Sequence, residues 1–363
     1  MISYTGEGRP QFHAGAPKDL QPSMESGLKL VAIGGGTGLS TVLSGLKELV
    51  GDHGRGDLWL ESLSAIVTVS DDGGSSGRLR DELQMLPPGD IRNCMVALSE
   101  DSTLLSRLFQ YRFRGEGGLG GHSFGNLFLA ALTEVTGDFV EAVRLSSEVL
   151  ASKGRIYPAT LNDVRLAAEL EDGRVVRGET NITAARSPIR RLSLEPEQCL
   201  PLPEALAAVR AADIITVGPG SLYTSILPNL LVARVAETIG ASRAVKIFIC
   251  NLMTQPGETD GYTARKHIEV VKEYAPEIEF DFVFVNDRRI TTEQAEAYAA
   301  EGASQIGLTD HQLEKEFGHE AEIVRADLLD EGEKVRHSPV KLARVILACH
   351  EKACARAAVS AAH

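Results

Sequence analysis

Short apolar runs without polar alternation recur along the chain, each closed by small or polar residues and followed by apolar positions at helical spacing. The first is residues 28–33, which stops at the glycine cluster 34–38; Leu39, Val42, Leu43, Leu46 and Leu49 then fall on one stripe of a helix. Residues 65–69 form a second such run and end in the polar turn 70–77, and the runs 213–217, 245–250 and 280–285 repeat the pattern. Runs without alternation are what strands covered on both faces require. Strands that alternate with helices predict a parallel sheet with right-handed crossovers, and such a sheet binds ligands beyond the carboxyl ends of its strands. The chemistry is therefore expected in the loops that follow the strands.

The middle of the chain reads differently. Residues 102–152 carry helical patterns, whereas 164–170 and 174–179 flank Glu171-Asp172-Gly173 and predict a β-hairpin. A helix over 201–212 returns the chain to the main sheet, and an Ala-rich helix covers 339–358. The predicted fold class is α/β: a Rossmann-like, doubly wound, mainly parallel sheet with an inserted helical and β-hairpin region. Residues 1–27, rich in Gly, Pro, Ser and charge without periodicity, predict a flexible extension. Residues 28–350 form a single elaborated nucleotide-binding domain with an insertion at about 102–200, and 351–363 a C-terminal tail.

Composition narrows this picture. With 363 residues, 43% of them hydrophobic, the chain can bury a full core. A formal charge of -13 argues against a broad nucleic-acid surface, which needs clustered Lys and Arg. The five cysteines show no C-x-x-C pair and are expected to be buried thiols in a reducing cytosol. No uncharged apolar stretch of about 18 residues predicts a membrane span, and no basic-then-apolar order marks a signal peptide. The expected location is cytoplasmic, and the expected assembly a homodimer.

Candidate chemistry follows the strand-to-loop junctions. Gly34, Gly35, Gly36, Thr37 and Gly38 sit between the first strand and the first helix, where glycines let a phosphate approach backbone amides at a helix N-terminus. The loop lacks the lysine of a P-loop, and Thr41 stands where G-x-G-x-x-G has its third glycine. No Asp or Glu stands at the end of the second strand about 20 residues after the glycines, because Asp71 comes considerably later, which argues further against NAD. After the second strand, Asp71 and Asp72 are candidates to hold Mg²⁺ or to accept from sugar hydroxyls, although one of them suffices. Ser75 is a ligand candidate or a helix cap, and Arg78 and Arg80 are candidates to neutralise a pyrophosphate.

Asp90 is expected to cap a helix from which Arg92 or Asn93 points into the crevice. His122, Ser123 and Asn126 open another helix, and Gly218, Gly220 and Ser221 form a second small-residue loop after a strand. Asn251 is placed to bond a base or sugar, and Arg336 to close over the ligand. No Ser-His-Asp order, H-E-x-x-H or kinase signature is present, which favours binding or metal-assisted transfer over covalent catalysis.

The ordered set IGGGTGLS, VTVSDDGGSSGRLR, PPGDIRN, GHSFGN, VGPGSLYTS, CNLMTQPGET and KVRHSPVKLA closely resembles the bacterial gluconeogenesis factor family. That family is similar to the 2-phospho-L-lactate transferases, which share a Rossmann-like fold and use a metal and a guanine-nucleotide donor to build a deazaflavin cofactor. The resemblance implies a regulatory protein that binds a UDP-sugar, notably UDP-N-acetylglucosamine, and acts in cell shape and wall metabolism on gluconeogenic carbon sources. It places Thr37 in the nucleotide loop and matches Arg336 to an arginine implicated in UDP-sugar binding. No cofactor is obligatory on this reading, with Mg²⁺ as an option. The alternative it carries is a metal-dependent phospholactyl or phosphoryl transferase.

Overall fold

The computed structural model describes residues 27–51, 59–100, 104–307, 313 and 320–361. The predicted extension at 1–27 lies, except for Gly27, outside the described residues.

Seven parallel strands form the main sheet: β1 (Leu28–Gly34), β2 (Leu60–Val67), β3 (Arg155–Pro158), β7 (Ile214–Val217), β8 (Val245–Ile249), β9 (Phe282–Asn286) and β10 (Glu322–Ala326). Their order is β10-β9-β8-β7-β1-β2-β3. The chain winds outward from β1 through β2 to β3, then returns to the other side of β1 and winds through β7, β8, β9 and β10. The order therefore reverses between β1 and β7, whose carboxyl ends open the crevice where doubly wound sheets bind ligands. Pairing of Ile33 with Val217 puts both strand ends at the same level, so the loops after them face each other.

The strands are apolar because both faces are covered: Leu30, Val31, Ala32 and Ile33 of β1 and Ile214, Ile215 and Val217 of β7 are all buried. Helix α1 (Gly36–Leu46) buries Leu39, Val42, Leu43 and Leu46 of the predicted stripe, whereas Leu49 falls in the 3-10 turn that follows and is half-buried. Each such side chain removed from water contributes roughly 1.5–3 kcal/mol. Against α1 pack α3 (Gly89–Leu98) and the C-terminal helix (Pro339–Ala361). At that contact a Cβ on Gly45 would lie 2.1 Å from the Pro339 carbonyl oxygen, so a glycine is required where the last helix begins.

Four features differ from the sequence prediction. The hairpin of β4 (Arg165–Leu170) and β5 (Val175–Arg177) gains a third strand, β6 (Ile189–Glu195), in a separate antiparallel sheet ordered β5-β4-β6. The region 102–200 is not one insertion, because β3 in its middle joins the edge of the main sheet. Helix 339–358 runs on to Ala361, so residues 351–361 continue the helix and do not form a separate tail. The five cysteines form no disulfide among the described residues; four are buried, but Cys354 is exposed on that helix, which corrects the expectation of five buried thiols. No helix among the described residues is long and apolar enough to cross a membrane.

Candidate functional site

The loops at the carboxyl edge of β1 and β7 enclose a cleft of about 630 Å³. One wall is backbone. Gly35 is the N-cap of α1 and has no side chain to cap it, and of the amides that follow, that of Gly36 is taken by Asp90 while those of Thr37 and Gly38 are left for a ligand. Facing them is Pro219-Gly220-Ser221. The two loops are in van der Waals contact: a Cβ on Gly38 would lie 2.2 Å from the Pro219 carbonyl oxygen, so glycine is obligatory there for steric reasons.

Side chains beneath the loops hold this wall. Asn251 accepts from the Gly220 amide at 3.0 Å and donates to the Gly220 carbonyl at 2.7 Å. Gln255 donates to Ser221 Oγ at 2.5 Å. Buried Asn229 donates to the carbonyls of Gly34 and Ser225 at 3.0 and 2.7 Å. Asn251 thus lines the cleft, but its amide group is occupied in clamping Gly220, in contrast to the base- or sugar-binding role expected of it.

Carboxylates form the floor. Asp71, Asp90 and Glu179 line the cleft, with Glu258 buried behind them. Burial and the charge of Asp71 push the Asp90 carboxyl up to about 6, although it accepts from the Gly36 amide. Burial, followed by repulsion from Asp71, Asp90 and Glu258, pushes Glu179 up to about 8. Burial raises Glu258 to about 7 despite hydroxyl donors on Thr183 and Thr224. Grouped carboxyls that resist ionisation are a mark of functional sites. Among the described residues, no three or more His, Cys, Asp or Glu side chains are arranged to hold a metal ion. Two carboxylates with water and ligand phosphates nevertheless suit Mg²⁺, which rarely takes an all-protein cage.

The opposite wall is made of side chains: Leu252, Met253, Thr254, Gln255 and Pro256 after β8, Tyr298 and Glu301 of α12 (Thr292–Ala300) and its end, and the segment Lys334-Val335-Arg336-His337. That segment is tied to α12 by Tyr298 Oη, which accepts from the Val335 amide at 3.2 Å, and by Gln294, which donates to the carbonyls of Gly332 and Glu333. His337 is buried, and burial pushes its imidazole down to about 4, so it is neutral at physiological pH. Lys334 and Arg336 are exposed at the rim, two cations above a carboxylate floor.

Several predicted site residues lie elsewhere. Gly34 ends β1 behind the loop, and Gly218 backs onto Ile249, so neither lines the cleft. Asp72 turns away and accepts from the amide and hydroxyl of Thr180 at 3.0 and 2.9 Å, which leaves Asp71 with Asp90, not Asp72, as the carboxylate pair facing the cleft. Asp90 lies within the first turn of α3 and is not its cap; that position is Pro88. Arg92, Asn93, Ser75, His122, Ser123 and Asn126 line no part of the cleft and gather on the far side of Asp71. Ser75 Oγ meets His122 Nδ1 at 2.9 Å and accepts from Asn126 at 3.0 Å, while Ser123 caps α5 (Phe124–Thr136). Arg80 is buried against Asp163 and the Val164 carbonyl, and Arg78 donates to the Gly120 carbonyl at 2.7 Å, so neither reaches a ligand in the cleft.

The sequence reading missed Asp90 as a floor residue, together with Glu179, Tyr298 and Lys334. Glu179 opens a helix after the hairpin, and only the packing of the small sheet brings it to the cleft. The KVRHSP segment, by contrast, contained Lys334 two residues before the arginine already singled out.

Comparison with known proteins agrees with this architecture. The profile of the 2-phospho-L-lactate transferase CofD family matches residues 30–329. A relative from Nostoc sp. is 49% identical over 324 residues, spanning 88% of this chain and 68% of its own length. The gluconeogenesis factor of Bacillus subtilis is 45% identical over 320 residues, spanning 88% of this chain and 97% of its own. That of Halalkalibacterium halodurans is 45% identical over 318 residues, with 88% and 95% covered. A crystal structure of a Bacillus halodurans protein superposes with a TM-score of 0.82 at 44% identity, covering 89% of this chain and 99% of that one.

Proposed function

We propose that this chain, which belongs to the 2-phospho-L-lactate transferase CofD family and within it to the gluconeogenesis factors, binds a nucleotide-sugar in the cleft at the β1–β7 switch point. The observation that carries the proposal is the uncapped N-terminus of α1 locked against the Pro219-Gly220 backbone, a cradle suited to a diphosphate. On this reading the pyrophosphate lies on Gly36, Thr37 and Gly38. Lys334 and Arg336 neutralise its outer oxygens, and Tyr298 and Met253 supply apolar surface for the base or sugar. UDP-N-acetylglucosamine is the proposed ligand, and the proposed role is regulatory, in cytoplasmic control of cell shape and wall metabolism. A volume of about 630 Å³ lies in the range of small-molecule sites. Calorimetry of the full chain with UDP-N-acetylglucosamine, with and without Mg²⁺, tests it: one saturable site per chain is expected, and no binding at any Mg²⁺ concentration overturns it.

A second reading is carried by the carboxylate floor. In a metal-dependent phospholactyl or phosphoryl transferase, Asp71 and Asp90 would hold Mg²⁺, which supplies charge stabilisation to a phosphoryl group in transfer. Glu179, held largely protonated near neutral pH, would exchange a proton with the acceptor hydroxyl or the leaving oxygen. Incubation with a nucleotide-activated donor and a deazaflavin acceptor is expected to yield product on this reading, and absence of product counts against it.

A further inference from the structure

On the side of Asp71 away from the glycine loop, three arginines from three elements gather without a salt bridge to a carboxylate among the described residues. Arg92 comes from α3, Arg78 from α2 (Gly74–Leu83), and Arg112 from the segment between α4 (Leu104–Gln110) and α5. Arg92 is about nine-tenths buried, at 9% exposure. It donates to Asn93 Oδ1 at 2.5 Å, and its Nε has no partner. Arg112 and Arg78 each donate to a single carbonyl, of Gly121 at 2.5 Å and Gly120 at 2.7 Å, and none of the three is in a salt bridge among the described residues. Burial, and then the nearby charge of Arg112, lowers the affinity of Arg92 for its proton, only partly offset by Asp90 and Asp71. The charges of Arg78 and Arg112 also reach His122.

A buried guanidinium without an ion pair is costly, and a second cation aimed at it adds to the cost. A Cβ on Gly125 would lie 2.7 Å from the Phe109 carbonyl oxygen and 2.8 Å from Arg92 Cδ, so this glycine admits both the backbone of α4 and the stem of Arg92 beside α5. The Ser75–His122–Asn126 hydrogen-bond chain packs alongside, and Asn93 is half-buried at its edge.

We propose that Arg92, Arg112 and Arg78, with His122 and Ser75, form an oxyanion subsite separated from the nucleotide cleft by Asp71. Its occupant is a phosphate or carboxylate group of a second small molecule, or of the distal end of a long ligand. Two anions then flank the Asp71–Asp90 pair, one held by backbone amides and the other by guanidiniums. The subsite does not depend on what fills the cleft, so each can be tested without the other.

The test uses the full chain and inorganic phosphate, with acetate as the carboxylate arm, both against chloride at matched ionic strength. Thermal melts and calorimetry are run with the cleft first saturated by UDP-N-acetylglucosamine and, separately, with the double variant Lys334→Ala, Arg336→Ala, which removes both cations of the cleft. Phosphate or acetate is expected to raise the melting temperature in both backgrounds, and the oxyanion giving the larger shift identifies the chemical class. Arg112→Ala, at an exposed position, is expected to weaken that binding about tenfold, as loss of a charge-assisted contact does. Arg92→Gln should abolish it. Absence of any oxyanion effect, an effect removed by the Lys334→Ala, Arg336→Ala pair, or equal effects in wild type and Arg112→Ala would each overturn the proposal.

Discussion

The two walls of the cleft are built from different material. The wall of residues 35–38 and 219–221 is backbone, held from behind by Asn229, Asn251 and Gln255, with no side chain needed for contact with a phosphate. The wall of 252–256, Tyr298 and 334–337 is made of side chains, several of them exposed. A backbone wall cannot be altered by substitution without altering the fold, whereas the side-chain wall is open to change one residue at a time. On the proposed function, phosphate recognition is a property of the fold at this site, and discrimination among bases and sugars belongs to the other wall.

The harshest way to break the comparison is Gly38→Ala. Its methyl would meet the Pro219 carbonyl, and since both partners are main chain neither can yield locally. A loss of about 3 kcal/mol in denaturant unfolding is expected, with loss of nucleotide-sugar binding. Unchanged stability would mean that the two loops are not locked together.

Next in size is the dependence on pH. Asp90, Glu179 and Glu258 have folded-state values raised to about 6, 8 and 7. Raised carboxyls bind more protons in the folded than in the unfolded state between their ordinary values near 4 and these raised ones, so stability falls as pH rises through that window. The ligand-free protein should therefore be more stable near pH 5 than near pH 8, by on the order of 2 kcal/mol in urea unfolding. Mg²⁺ should flatten the profile. The carboxyls that titrate belong to the floor, so the change acts there and on the backbone wall that Asp90 touches. A flat profile without Mg²⁺ would remove the case for crowded carboxyls.

The smallest expected effect lies on the side-chain wall. Arg336→Ala should weaken UDP-N-acetylglucosamine binding about tenfold by calorimetry and leave the melting temperature unchanged, as removal of an exposed charge does. Loss of fold in this variant would show that the wall is structural after all.

How much was legible in advance follows the same division. The parallel strands and the glycine loops could be read because apolar runs and small residues are local signals, and the switch point follows from their alternation with helices. Asp90 could not be read as a floor residue because its sequence neighbours, Pro87-Pro88-Gly89, signal a turn, and a cap there is locally reasonable. Glu179 was hidden for a different reason. It reaches the floor through the packing of β4, β5 and β6 beside the cleft, a contact between segments remote in sequence. His122 and Asn126 follow a loop like those that line the cleft, yet their hydrogen bonds to Ser75 turn them toward the arginines. Residue type showed that they do polar work; it did not show on which side of Asp71.

The hydrogen bond from the Gly36 amide to Asp90 means that the empty helix terminus already holds an anion belonging to the protein itself. An incoming phosphate has to share that amide, and it brings negative charge next to a carboxyl that titrates at about 6. Binding without a divalent ion is therefore coupled to proton uptake from solution, and binding with one to proton release. Calorimetry in buffers of different ionisation enthalpy would show it as a buffer-dependent heat whose slope changes sign when Mg²⁺ is added. The site would then respond to proton and metal levels in its surroundings as well as to its ligand, with one carboxylate setting the exchange among all three.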